Sequence, residues 1–283
     1  VLRTATALRT LERRDRQEAL AMCALDPVAS VMLAERVARA GSEAQRLGGE
    51  IWGYFEHGRL RSMCWAGANL VPVNATSGAA LDAFASRARR SSGAYSSLFG
   101  PAEAVLGLWE RLAANGWRAR HVRPCQPLYA IDHRSDLPPD PQVRRACADD
   151  LDAVLPASIA MFTEEVGYSP IAGDGGAAYR RRVAELLREG RTFVRRGADG
   201  QVVFKADLGS VSASVAQVHG VWVDPRFRGR GLAAPAMAAV VDATVREVAP
   251  VVSLYVNDYN ARALAAYQRV GFEQVGTFAT VLF

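Results

Sequence analysis

The chain has 283 residues, half of them apolar, with a formal charge of +5 and an isoelectric point near 9.3. That length supports one large domain or two ordinary ones. No apolar run reaches the ~18 residues of a membrane span, and arginines scattered among acids, with no basic run interleaved with aromatics, argue against nucleic-acid binding. The start, Val1-Leu2-Arg3-Thr4, lacks the charged-then-apolar pattern of a secretory leader, so a soluble cytoplasmic protein is expected. Cys23, Cys64, Cys125 and Cys147 match neither a zinc spacing nor a CxxC pair, so free thiols and no metal are expected.

In the N-terminal half, helical spacing covers Arg13 to Leu25 and Pro27 to Ala40. Strand patterns run from Glu50 to Glu56 and from Leu60 to Ala66, joined at His57-Gly58-Arg59. A helix over Thr76 to Arg90, a short strand at Ser96 to Phe99 and a helix over Ala102 to Ala114 follow. Asp132 to Pro141 is polar, with Pro138, Pro139 and Pro141 close together. Proline fixes φ and pushes its predecessor extended, so this stretch reads as a linker between residues 1–135 and 142–283.

The C-terminal half alternates. Helices are expected over Asp149 to Glu165, Ala178 to Arg188, Leu232 to Val248 and Ala261 to Val270. Strands are expected at Arg191 to Arg196, Gln201 to Ala206, Val215 to Val223, Val251 to Val256 and, closing the domain, Gly276 to Phe283. This order favours an α/β or α+β sheet flanked by helices. Ser97-Leu98-Phe99, a helix and Gly116-Trp117 parallel Ser253-Leu254-Tyr255, a helix and Gly271-Phe272, which suggests an internal duplication.

The stretch Gln217-Val-His-Gly-Val-Trp-Val-Asp-Pro-Arg-Phe-Arg-Gly-Arg-Gly-Leu232 carries the most chemistry. A strand, a glycine-rich turn and a helix start make an anion site. Glycines permit φ > 0 and close approach, and first-turn amides have no intrahelical partner at the positive dipole end. Arg226, Arg228 and Arg230 add charge suited to phosphate. A Gly-Lys-Ser/Thr P-loop is absent, and Gly229-x-Gly231 lacks the third glycine of the dinucleotide fingerprint.

Arg226-x-x-Gly229-x-Gly231 resembles the Arg/Gln-x-x-Gly-x-Gly/Ala signature of GNAT acetyltransferases. Gly220-Val-Trp-Val-Asp-Pro225 before it, and Leu254-Tyr-Val-Asn257-x-x-Asn260-x-x-Ala263-x-x-x-Tyr267-x-x-x-Gly271-Phe272 after it, resemble the flanking family features. Leu25-Asp-Pro-Val-Ala-Ser30 and Leu98-Phe-Gly-Pro101 further resemble two-domain actinobacterial GNAT proteins with an uncharacterised N-terminal region. The resemblance implies tandem GNAT-like domains, each a mixed, mostly antiparallel sheet flanked by helices. The N-terminal one would be degenerate, since Leu70-Val-Pro-Val-Asn-Ala75 carries no glycine or arginine.

The same resemblance implies acetyl-CoA as co-substrate and an amine as acceptor. Val221, Trp222 and Val223 would pair with the pantetheine arm, and Phe227 to Leu232 would hold the pyrophosphate. Asn257 and Asn260 would contact the cofactor, and Tyr267 would protonate the leaving thiolate. The family's frequent glutamate base falls on Gln217, leaving His219, or Glu164 and Glu165, as candidate proton acceptors. A non-catalytic acyl-CoA sensor and a transferase of longer acyl groups are the alternatives.

Overall fold

The computed structural model describes residues 7–39, 48–91, 95–171 and 175–283. The first half contains β1 (Ala7–Thr10), α1 (Arg16–Cys23), α2 (Val31–Arg39), β2 (Glu50–Glu56), β3 (Arg59–Ala66), β4 (Asn69–Val73), α3 (Gly78–Arg90), β5 (Ser97–Pro101), α4 (Ala102–Ala113) and β6 (His121–Ile131). The second contains β7 (Arg144–Arg145), α5 (Leu151–Val166), α6 (Ala177–Arg188), β8 (Thr192–Arg196), β9 (Val202–Val211), β10 (Val215–Val223), α7 (Ala233–Glu247), β11 (Val251–Tyr255), α8 (Ala261–Val270) and β12 (Glu273–Leu282). Ala40, the expected end of the second helix, lies outside the described residues.

The described residues fall into two compact units, one drawn from Val1–Tyr129, Tyr255–Tyr259 and Gln274–Phe283, the other from Ala130–Leu254 and Asn260–Glu273. The first has strand order β1-β2-β3-β4-β5-β12-β6. Its first four strands are antiparallel, β4 runs parallel to β5, and β12 lies antiparallel to β5, with Phe278 opposite Pro101 and Leu282 opposite Ser97. The β2–β3 turn uses His57 and Gly58, both at positive φ, the geometry that suits a tight two-residue hairpin. Helices α3 and α4 bury Leu81, Phe84, Val105, Leu108 and Leu112 against this sheet, each large side chain contributing about 1.5–3 kcal/mol.

The second unit has order β7-β8-β9-β10-β11, antiparallel except that β10 runs parallel to β11. Val154, Val183, Leu187, Val194 and Trp222 form its core beneath α5 and α6.

The two halves repeat one another element for element. Each runs strand, 3₁₀ turn, two helices, three antiparallel strands, helix, parallel strand, helix, strand. The repetition extends to one ion pair. Arg9 forks onto Asp15 at 2.6 and 2.7 Å, and Asp15 accepts the Glu12 amide at 2.8 Å. Arg144 forks onto Asp150 at 2.7 Å twice, and Asp150 accepts the Cys147 amide at 2.9 Å. In both, arginine and aspartate stand six residues apart around a 3₁₀ turn, Arg13–Asp15 or Ala148–Asp150. Each aspartate thus satisfies the orphan amide that opens the following helix.

Three expectations differ from the structure. The closing strand expected for the C-terminal domain is β12, which pairs with β5 of the first unit. The expected linker is fastened within the second unit. Arg134 meets Asp242 at 2.7 Å, Ser135 donates to the Val270 carbonyl at 2.6 Å, and Asp140 receives Arg195 at 2.7 Å. Its prolines suit an extended course, and polar side chains between them supply the anchors. Strands β4 and β6 escaped the pattern because Pro72, Pro124 and Pro127 interrupt them, and proline in a strand sequence argues against that assignment.

Candidate active site

The site is built where β10 leaves β11. The two strands pair only from Val215, opposite Val251, to Gln217, opposite Ser253, although β10 continues to Val223. Burial changes at the same place. Val215 to Val218 are buried, whereas His219, Gly220, Val221 and Val223 are half-exposed. On the other side, β10 bulges against β9: His219 pairs with Asp207 and Trp222 with Lys205, so Gly220 and Val221 together oppose one residue. A bulge bends its strand and sharpens its twist, which turns the 221–223 edge away from β11.

Asp224 then accepts the Arg226 amide at 2.8 Å in a short turn over Pro225–Phe227. Gly229 and Gly231 follow at φ +76° and +75°, with nothing within 4 Å of where a Cβ would stand. Leu232 opens α7 with no side-chain cap. Among the described residues, the amides of Gly229, Arg230, Gly231 and Leu232 donate to no protein group. Unsatisfied amides at the positive end of a helix are an anion site.

The three arginines of this loop are not equivalent. Arg226 forks onto Asp224, 2.7 Å away at its closest. Arg228 donates to the Val223 carbonyl at 2.8 Å and to Glu164 at 2.7 Å. Arg230 forms no ion pair among the described residues and lies over the Phe227 ring at 5.3 Å. Glu164 also receives the Trp222 indole N–H at 3.2 Å. These two bonds tie the end of α5 to Trp222 and Arg228.

Tyr267 is buried on α8, edge-on to Phe272 at 6.0 Å. Its hydroxyl has no hydrogen-bond partner among the described residues, and burial, with a smaller push from Glu165, raises its pKa, so it stays protonated. Asn260 starts that helix and accepts the Ala263 amide at 3.2 Å, the ordinary work of an N-cap, with its amide nitrogen still a donor. Asn257 belongs to the other unit. It accepts from Gln126 at 2.9 Å, and Gln126 in turn accepts from Thr280 at 2.6 Å, so strands β6 and β12 hold it.

His219 faces Gln217, whose Oε1 lies 2.8 Å from Nε2. One hydrogen is shared between this amide and the imidazole, and the tautomer of His219 decides which of the two donates it. Burial, with Arg182 nearby and against the opposing effect of Asp207, lowers the imidazole to about 4. It is therefore neutral across the physiological range.

The corresponding helix start of the first half is capped by a side chain. Ser77 caps α3 by accepting the Ala80 amide at 3.1 Å, and the Leu81 amide is taken by the Ser77 carbonyl. An amide satisfied internally is unavailable to an anion.

Residues 172–272, which span this bulge, amide loop and Tyr267, match the acetyltransferase (GNAT) family model. This stretch belongs to the GNAT family. Residues 49–154 match a domain of unknown function, DUF4081. The chain is also similar to an uncharacterized N-acetyltransferase of Methanocaldococcus jannaschii, 35% identical over 60 residues that cover 21% of this chain and 26% of that relative. Among solved structures, a Drosophila protein superposes with a TM-score of 0.66 at 15% identity over 98% of both chains. A GCN5-related N-acetyltransferase from Sphaerobacter thermophilus superposes at 0.57 and 17%, over 99% of this chain and 96% of that one. A tandem GNAT protein from the clavulanic acid biosynthesis pathway gives 0.51 and 15%, over 97% and 98%. At these identities the structural likeness speaks for the fold. No helix among the described residues is long and apolar enough to cross a membrane, and no cluster of His, Cys, Asp and Glu among them suits a metal.

Sequence reasoning passed over Lys205 and Asp207, two charges inside the apolar run Val202-Val-Phe-Lys-Ala-Asp-Leu208. That interruption was the available signal, since Lys and Asp are almost never fully buried unless paired.

Proposed function

We propose that the chain is an N-acetyltransferase that moves an acetyl group from acetyl-CoA to an amine by direct attack, within a catalytic domain spanning residues 142–283. The observation that carries this reading is the row of four undonated amides, Gly229 to Leu232, heading α7 directly after a strand that has parted from its parallel neighbour. These amides and Arg230 would grip the diphosphate, and the backbone of Val221 to Val223 would lie along the pantetheine arm as an added strand. The Asn260 amide nitrogen would donate to the same arm. Cytoplasmic placement is supported by four free cysteines, which suit a reducing compartment.

In the chemical step the amine nitrogen attacks the thioester carbonyl, whose oxygen is polarised by a backbone N–H near Val223. The C–N bond forms as the C–S bond breaks. Tyr267 gives its phenolic proton to the leaving thiolate. The proton lost by the amine goes to His219, directly or through water. Glu164, engaged by Arg228 and Trp222, serves to position them.

The second reading, an acyl-CoA sensor, is favoured by Gln217 standing where a carboxylate would be the stronger base. Titration calorimetry with acetyl-CoA, followed by thiol release against a panel of amines, separates the two. Binding with turnover supports the transferase, and tight binding with no turnover on any amine supports the sensor. A thermal-shift series over acyl-CoA lengths identifies the preferred donor, because the best ligand raises the melting temperature most.

A further inference from the structure

Lys205 is the only lysine of the chain, and it is fully buried. Its ammonium contacts Asp207 at 2.6 Å and donates to the Gly220 carbonyl at 3.2 Å. Asp207 also accepts the Thr192 hydroxyl at 2.8 Å. The recipient, Gly220, is the bulge residue, at φ +57°. A Cβ there would stand 2.9 Å from the Met161 methyl, 3.2 Å from Asp207 and 3.4 Å from the Lys205 ammonium. The bulge therefore folds its carbonyl inward onto a buried cation, and only glycine fits the position.

We infer that Lys205, with Asp207, is a positioning residue for the acyl donor, holding the Gly220 carbonyl so that the 221–223 edge leaves the sheet at the angle the pantetheine arm needs. An unpaired backbone carbonyl under this strand would be costly, and a sheet ladder without the bulge would carry β10 straight on beside β11. An aliphatic side chain in place of Lys205 would fill the space without holding the carbonyl. The ion pair is thus assigned to geometry, since a buried pair replaced by neutral groups of similar size often costs little stability.

The inference rests on the acetyl-CoA reading, and the test separates the two. Wild type and Lys205→Met/Asp207→Asn are titrated with acetyl-CoA and with ADP, which has a diphosphate but no pantetheine arm. The expected result is a dissociation constant for acetyl-CoA raised about tenfold or more, with ADP binding unchanged, because the amides of Gly229 to Leu232 lie beyond the bulge. Unchanged acetyl-CoA affinity overturns the positioning role, as does a parallel loss for both ligands, which would mark general support of the fold. If wild type fails to bind acetyl-CoA, the donor reading itself falls and takes this inference with it. Should the double variant not fold, Gly220→Ala perturbs the same bulge and is expected to give the same split between the ligands.

Discussion

Replacing Gly231 by alanine isolates the backbone geometry of the amide loop. The new Cβ meets no atom within 4 Å, so packing neither compensates nor aggravates the change. What remains is the conformation: φ is +75°, and an L side chain in the left-handed region costs about 1–2 kcal/mol. That cost must appear in the complex, either as lost stability of the free protein or as lost affinity. The open space around the loop lets the free protein relax and avoid it, whereas bound diphosphate requires the original conformation. The acetyl-CoA dissociation constant should therefore rise roughly 5- to 30-fold, at 1.4 kcal/mol per decade, with little change in melting temperature. Titration calorimetry reads the first quantity and thermal denaturation the second. Gly116→Ala is the control: its φ is +88° and its surroundings are equally empty, but its amide donates to the Ala113 carbonyl at 3.0 Å, so the turn cannot relax without losing that bond. It should lower stability and leave the affinity alone. If Gly231→Ala changes neither affinity nor melting temperature, the loop does not bind the donor in the conformation described.

Tyr267→Phe should lower kcat by about 10²- to 10⁴-fold while acetyl-CoA affinity stays within twofold; unchanged turnover in the thiol-release assay removes the acid role. His219 has a native value of about 4 against an unfolded value near 6.5. The unfolded chain then binds the extra proton between those limits, so stability should fall as pH drops from about 6.5 to 4 and be complete above. The difference between wild type and His219→Gln in urea midpoints across that window is the measurement, and a flat difference refutes the assignment. Arg144, through its forked hydrogen bonds, holds Asp150 well below the usual carboxylate range, with burial opposing and the Cys147 amide assisting. Its stabilisation is present above about pH 4 and is lost as acid titrates the native carboxylate. Asp150→Asn should cost about 1–3 kcal/mol at pH 7, discounted because Arg144 is half-exposed. Denaturation at pH 7 and pH 3 should show that penalty shrinking in acid.

The glycine-rich turn with its unsatisfied amides was legible from residue types alone. Glycine at 229 and 231 announces positive φ wherever it occurs, and a strand pattern ending before a helix pattern locates unsatisfied amides without coordinates. Helices and hairpins followed from periodicity for the same reason: they are local, and their signal lies within a dozen residues. The role of each charged side chain was not legible, because which guanidinium reaches which carboxylate depends on elements far apart in the chain. Arg228 meets Glu164 across 64 residues, and Asn257 is claimed by Gln126 across 131. The residence of β12 beside β5 was equally hidden, since strand pairing is a long-range choice that the strand's own pattern does not record. Lys205 shows the limit most clearly. Its charge was visible in an apolar strand, but its partner carbonyl exists only because β10 bulges at Gly220, and a bulge belongs to two strands at once.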